Sequence, residues 1–134
     1  DSLCNLVTHS NRDIQKEACW TLSNISAGTI PQIQKVIDSG IMTDIVSLAR
    51  NKDTDSEIKS EASWVVLNAS SCGSDSQIEQ LAQYGIVGVL SDMISDVSMR
   101  LMALEGIERI LAIGEIKKLH HITTSPTNIS TTSN

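Results

Sequence analysis

Ala18, Leu22 and Ile25 fall three and four residues apart, and so do Ala62, Val66 and Ala69. That is the spacing of one packed stripe along an α-helix. Nowhere along the chain is there a convincing alternation of period two or a hairpin signal, so the pattern reads as all-α. The spacing predicts long helices at about 12–27, 55–72 and 97–113. It predicts short helices at about 31–39 and 75–84, and middle helices at about 41–51 and 86–95. The punctuation agrees. Pro31 falls where a first helical turn begins, and Gly40 and Gly85 each follow a short helix where a left-handed cap is wanted. Thr54-x-x-Glu57 and Ser74-x-x-Gln77 have the form of capping boxes.

The pattern is also written more than once. Glu17-Ala18-Cys19-Trp20-Thr21-Leu22-Ser23-Asn24-Ile25 returns 44 residues later as Glu61-Ala62-Ser63-Trp64-Val65-Val66-Leu67-Asn68-Ala69, and a third, weaker copy begins at Met102. The short-helix segment starting at Gln32-Ile33 realigns with Gln77-Ile78 at a spacing of 45. Periods in the low forties belong to solenoids of three-helix units, here about three of them stacked. Residues 1–9 match the end of a middle helix, so the chain is expected to open inside a preceding, truncated repeat, with repeats over 10–116. From Thr123 to Asn134, ten of twelve residues are Ser, Thr or Asn, and residues 117–134 are expected to form a low-complexity, disordered tail.

Composition narrows the function. The formal charge of −6 disfavours nucleic acid and favours a basic partner. With no Phe, one Tyr and two Trp, the core must come from Leu, Ile, Val, Ala and Met. Three cysteines without ligand spacing read as reduced thiols. No apolar run approaches the ~18 residues of a membrane span. Asn24, Asn68 and Asn128 fit the glycosylation pattern, but the first two lie in expected helices and are expected to stay unmodified, and His120-His121 lacks further metal ligands nearby. Asp53, Asp55 and Glu57 lack the glycine of a calcium loop and suit a helix N-terminus instead. No catalytic constellation stands out, so an enzyme is not expected, and no cofactor is called for.

The chemistry concentrates on a second stripe of the long helices: Glu17, Trp20 and Asn24, repeated as Glu61, Trp64 and Asn68. Asn is a poor mid-helix residue and needs another reason to be there. Its amide offers both a donor and an acceptor, so it can pair with a peptide backbone whatever the side chain. Two indoles one repeat apart make a slot for an aliphatic stem ending in a cation, worth roughly 0.5–2 kcal/mol in cation–π attraction. Glu17 and Glu61 then receive the charged head. In the third copy Glu105 stands in the Trp register and Arg109 in the Asn register, which ends the ladder.

On these residues, E-A-C-W-T-L-S-N and E-A-S-W-V-V-L-N with the following G-x-x-P-Q-I-Q-x-V-I-D, residues 2–116 resemble the armadillo repeats of the importin-α (karyopherin-α) family. The resemblance implies a right-handed superhelical solenoid and a nuclear import adaptor. Its concave Trp/Asn array would bind basic nuclear localisation signals in extended form. Two consecutive Trp/Asn repeats followed by a degenerate one are similar to the smaller, C-terminal site of that family. Importin-β and an export receptor are implied as partners of a full-length chain only, with shuttling between cytoplasm and nucleus. The other readings are a generic armadillo scaffold in adhesion or signalling, and a regulatory helical-repeat subunit with no peptide groove. A basic groove would mark the first, and buried indoles at Trp20 and Trp64 the second.

Overall fold

The computed structural model describes residues 2–124, which form eight α-helices and no strand among the described residues. In chain order they are α1 (Ser2–Val7), α2 (Arg12–Ser26), α3 (Ile30–Asp38), α4 (Met42–Arg50), α5 (Ser56–Cys72), α6 (Asp75–Gln83), α7 (Ile86–Met93) and α8 (Arg100–Thr124). Two complete triplets, α3–α4–α5 and α6–α7–α8, follow a pair, α1–α2, that stands in the places of a middle and a long helix. Like packs on like: short α3 against α6, middle α4 against α7, and long α2 against α5 against α8. The result is a solenoid three layers deep.

Local chemistry sets the helix ends. Thr29 and Ser74 cap α3 and α6 in matching boxes, with Gln32 and Gln77 reaching back to the cap N–H, and Pro31 sits in the first turn of α3. Gly40 (φ 76°) and Gly85 (φ 83°) turn the chain into the middle helices in the left-handed region that glycine enters without strain. The capping box expected at Thr54 is corrected: Asp55 caps α5 and accepts from the N–H groups of Glu57 and Ile58. An aspartate one residue nearer the helix does the same job with a charge that the helix dipole favours.

The interior is aliphatic. Leu22, Ile33, Met42, Ile45, Val65, Val66, Leu67, Ile78, Leu81, Ile86 and Leu90 are almost wholly buried, and Val7, Ala49, Ala62 and Ala103 fill the narrow places. At Gly106 α8 approaches α5 and α7 closely. A Cβ at Gly106 would lie 3.2 Å from Ser70 Oγ and 3.1 Å from Leu90 Cδ1.

Polar ties also cross from unit to unit. Buried Gln77 donates to the Ile30 carbonyl (2.8 Å) and to Gln34 Oε1 (3.1 Å), and Tyr84 donates to the Ile37 carbonyl. Arg12 pairs with Asp55 and Glu57, and Arg50 with Asp92. These ion pairs are exposed and each contributes little, on the order of 0–1 kcal/mol. They fix alignment more than they add stability.

The last helix departs from the sequence expectation. α8 starts at Arg100 rather than 97, because Asp96 turns the preceding chain and accepts from Ser98. It then continues through Gly114 to Thr124 instead of ending near 113. Helix formers follow that glycine, and a glycine inside a helix costs only ~1 kcal/mol. Lys117 pairs with Glu79 and ties this extension to α6. Of the tail expected over 117–134, residues 117–124 are therefore helical; the rest lies outside the described residues.

Candidate functional site

The two copies of the Glu/Trp/Asn stripe lie on α2 and α5, which pack directly against each other. Trp20 is 51% exposed. Trp64 is half-buried and rests against the core. Packing explains the difference, since Trp64 lies in the middle of the stack, flanked by α2 on one side and α8 on the other. Neither indole is buried away from solvent. The backbone beneath Trp20 is tied down by the Ser23 hydroxyl, which donates to the Trp20 carbonyl (2.7 Å).

Glu17 is exposed on α2, and Glu61 is half-buried on α5. The Cys19 thiol of α2 is pushed up to about 11, first by burial and second by the charge of Glu61. At the N-terminal end of the seam between α2 and α5, Arg12 and Lys16 converge on Glu57, and Arg12 also takes Asp55. The Arg12 guanidinium holds both carboxyls below their ordinary range. These cations are thus committed to protein carboxylates, while exposed Glu17 and half-buried Glu61 have no ion pair among the described residues.

The two asparagines differ. Asn24 is exposed. Asn68 donates one amide N–H to the Ser23 carbonyl in the last turn of α2 (3.0 Å), which gives this mid-helix Asn a structural reason to exist. Its other N–H and its Oδ1 have no hydrogen-bond partner among the described residues. Sequence spacing places Asn68 on the stripe but cannot show which helix faces it.

At the third step the contact shifts by three residues along the neighbouring helix. Arg109 of α8 donates to the Ser70 carbonyl in the last turn of α5 (3.2 Å) and pairs with Asp75 (3.0 Å). Glu105 is exposed one turn earlier. The two share a cleft of about 120 Å³ with Ser70, Ser71, Met102 and Gly106. A larger, mostly apolar cleft of about 480 Å³ lies on the opposite edge, lined by Leu3, Leu6, Ile14, Ala18 and the acidic Asp13 and Glu17.

No grouping of three or more His, Cys, Asp or Glu side chains suited to a metal is present among the described residues, and His120 and His121 sit exposed near the end of α8. Among the described residues no helix is long and apolar enough to cross a membrane.

Comparison with known proteins agrees with this architecture. Residues 1–27 match the family model described as Armadillo/beta-catenin-like repeat. The chain is 42% identical to importin subunit alpha-5 of Arabidopsis thaliana over 84% of its own length and 22% of that protein's. It is 43% identical to importin subunit alpha-4 of the same plant over 84% of its length and 21% of that protein's. It thus spans about a fifth of the length of these relatives. Among solved structures, a designed armadillo repeat protein in complex with the peptide (KR)4 superposes with a TM-score of 0.67. It is 29% identical and aligns with 84% of this chain and 51% of its own. The chain is an armadillo-repeat solenoid segment and a homologue of the importin α subunits.

Proposed function

We propose that this segment is a cargo-binding part of a nuclear import adaptor, and that Glu17, Trp20, Asn24, Glu61, Trp64 and Asn68 bind a lysine- or arginine-rich localisation signal in extended form. The observation that carries the reading is an exposed Trp20 and Glu17 beside a half-buried Trp64 and Glu61 on adjacent, directly stacked helices. A basic stem lies between or beside Trp20 and Trp64. Its charge sits near Glu61 or Glu17, and Asn24 and Asn68 pair with the peptide backbone. The relatives' names and the (KR)4 peptide bound by the designed armadillo protein support this choice of ligand. Within a longer chain, importin-β and an export receptor are the further partners, and the protein shuttles between cytoplasm and nucleus.

A generic scaffold with a basic groove fits less well, because the stripe carries Glu17 and Glu61 and the nearby Arg12 and Lys16 are already paired. A subunit without a groove needs buried indoles, and Trp20 is half-exposed.

Two ladder steps offer few contacts, so affinity is weak, about tens of micromolar or near −6 kcal/mol, and falls as salt rises. The test is titration of a fluorescently labelled basic peptide against wild type, Trp64→Ala and Glu61→Gln. Trp64→Ala is expected to weaken binding more, since it removes both packing area and the cation–π face. Equal binding by all three proteins, or by an alanine-substituted peptide, rules the ladder out.

A further inference from the structure

The third ladder step is already filled. Ser70 lies in the last turn of α5, where helix carbonyls lack intrahelical partners and the dipole leaves partial negative charge. Asp75, in the first turn of α6, and Glu105, exposed on α8, add two carboxylates. The Ser70 carbonyl and Asp75 thus gather at the end of α5, with Glu105 lining the same cleft as Ser70, a setting suited to a cation. The cation present is the chain's own Arg109, bound to the Ser70 carbonyl at 3.2 Å and to Asp75 at 3.0 Å. It stands one helix beyond Asn68, whose own bond goes to the Ser23 carbonyl of α2, a position three residues earlier in the repeat than Ser70.

We propose that Arg109 is a built-in occupant of a third cation subsite formed by the Ser70 carbonyl and Asp75, with Glu105 at its cleft, and that it limits the ladder to two steps. This rests on the peptide-binding reading above. An asparagine in this register would offer a peptide both a donor and an acceptor. A guanidinium offers donors only, repels an incoming Lys or Arg, and already takes the acceptors such a residue would use. The segment is therefore selective for short basic clusters. A peptide residue running past Asn68 toward α8 gains nothing from being basic.

Length dependence tests this. Neighbouring helices lie roughly 8–10 Å apart and an extended chain covers about 3.3–3.6 Å per residue, so each ladder step takes about three residues. Labelled (KR)2 spans two steps and (KR)4 reaches the third. Affinities of both are measured by fluorescence anisotropy for wild type, Arg109→Asn, Arg109→Lys and Arg109→Asn/Asp75→Asn. In Arg109→Asn the preference for (KR)4 over (KR)2 is expected to rise about fivefold, while (KR)2 itself changes less than about twofold. Arg109→Lys keeps the plug and the wild-type ratio, and adding Asp75→Asn returns the ratio toward wild type. A simple strut between α8 and α5 predicts the opposite, a drop in melting temperature with no gain for the longer peptide. An unchanged ratio in Arg109→Asn overturns the proposal while leaving the two-step site standing. Failure of wild type to bind either peptide overturns the site and this inference together.

Discussion

Gln32 and Gln77 occupy equivalent places in successive units, yet replacing them has unequal consequences. Each accepts a hydrogen bond from the N–H of its helix cap, Thr29 in one case (2.8 Å) and Ser74 in the other (3.1 Å). Gln32 is exposed and does nothing else. Gln77 is 2% exposed, and its amide donates to the Ile30 carbonyl and to Gln34 Oε1 across the junction between units. Loss of the cap contact costs about 0.5–1 kcal/mol at either position. Gln77→Ala also removes two neutral hydrogen bonds, about 1 kcal/mol each in net terms, and leaves Gln34 with fewer partners. Gln32→Ala is thus expected to cost about 0.5–1 kcal/mol and Gln77→Ala about 3 kcal/mol. Urea unfolding followed by far-UV circular dichroism measures both. With a slope of about 2 kcal/mol/M, the ~2 kcal/mol difference separates the two midpoints by about 1 M. Equal midpoints would refute the idea that the glutamine junction holds one unit to the next.

Four further outcomes are expected. Gly85→Ala should destabilise by about 1 kcal/mol from backbone strain alone, because φ is 83° and a Cβ there meets nothing within 4 Å; an unchanged urea midpoint would contradict it. A thiol reagent near neutral pH should modify exposed Cys72 first and spare buried Cys19 until unfolding, as mass spectrometry of partly labelled protein can read. The Cys19 thiol titrates higher in the folded state, so its contribution to stability is intact below its unfolded value of 9.0 and declines as pH rises from there toward about 11. The Asp55 and Glu57 carboxyls are held low by Arg12, so their contribution is present above their unfolded values of 3.8 and 4.5 and is lost as pH falls below them. Arg12→Gln should flatten the acid limb of a plot of urea midpoint against pH.

Repetition made much of this fold legible in the chain. The two Glu/Trp/Asn copies named their helices because a stripe recurring at 44 residues needs one geometry twice, and Gly40 and Gly85 marked turns that only a positive φ makes. The expected start of α5 slipped by one residue because Thr54 and Asp55 are both good caps and only the folded chain shows whose oxygen meets the Glu57 N–H. Thr29-x-x-Gln32 carried the same box as Ser74-x-x-Gln77 and could have been read from the same pattern. Gly114 suggested an end to the last helix, but glycine is a weak stop when helix formers follow and a Lys117–Glu79 pair lies ahead. At the site, spacing gave the face of Trp20, Trp64 and both asparagines. It could not give the partner across the seam: that Asn68 spends one donor on Ser23, or that Arg109 fills the end of α5, depends on which helix stacks where.

The central claim is that Trp20 and Trp64 form the walls of a slot for basic side chains, and the chain's own fluorescence tests it most directly. These are its only two tryptophans, so indole emission reports on the proposed site and nowhere else. Titration with unlabelled (KR)4 should change the emission saturably, in wild type and in both single-tryptophan variants, Trp20→Phe and Trp64→Phe. The change should shrink at high salt and be absent with a peptide in which alanine replaces every Lys and Arg. Emission that stays constant across the (KR)4 titration, or that responds equally to the alanine peptide, would contradict the claim.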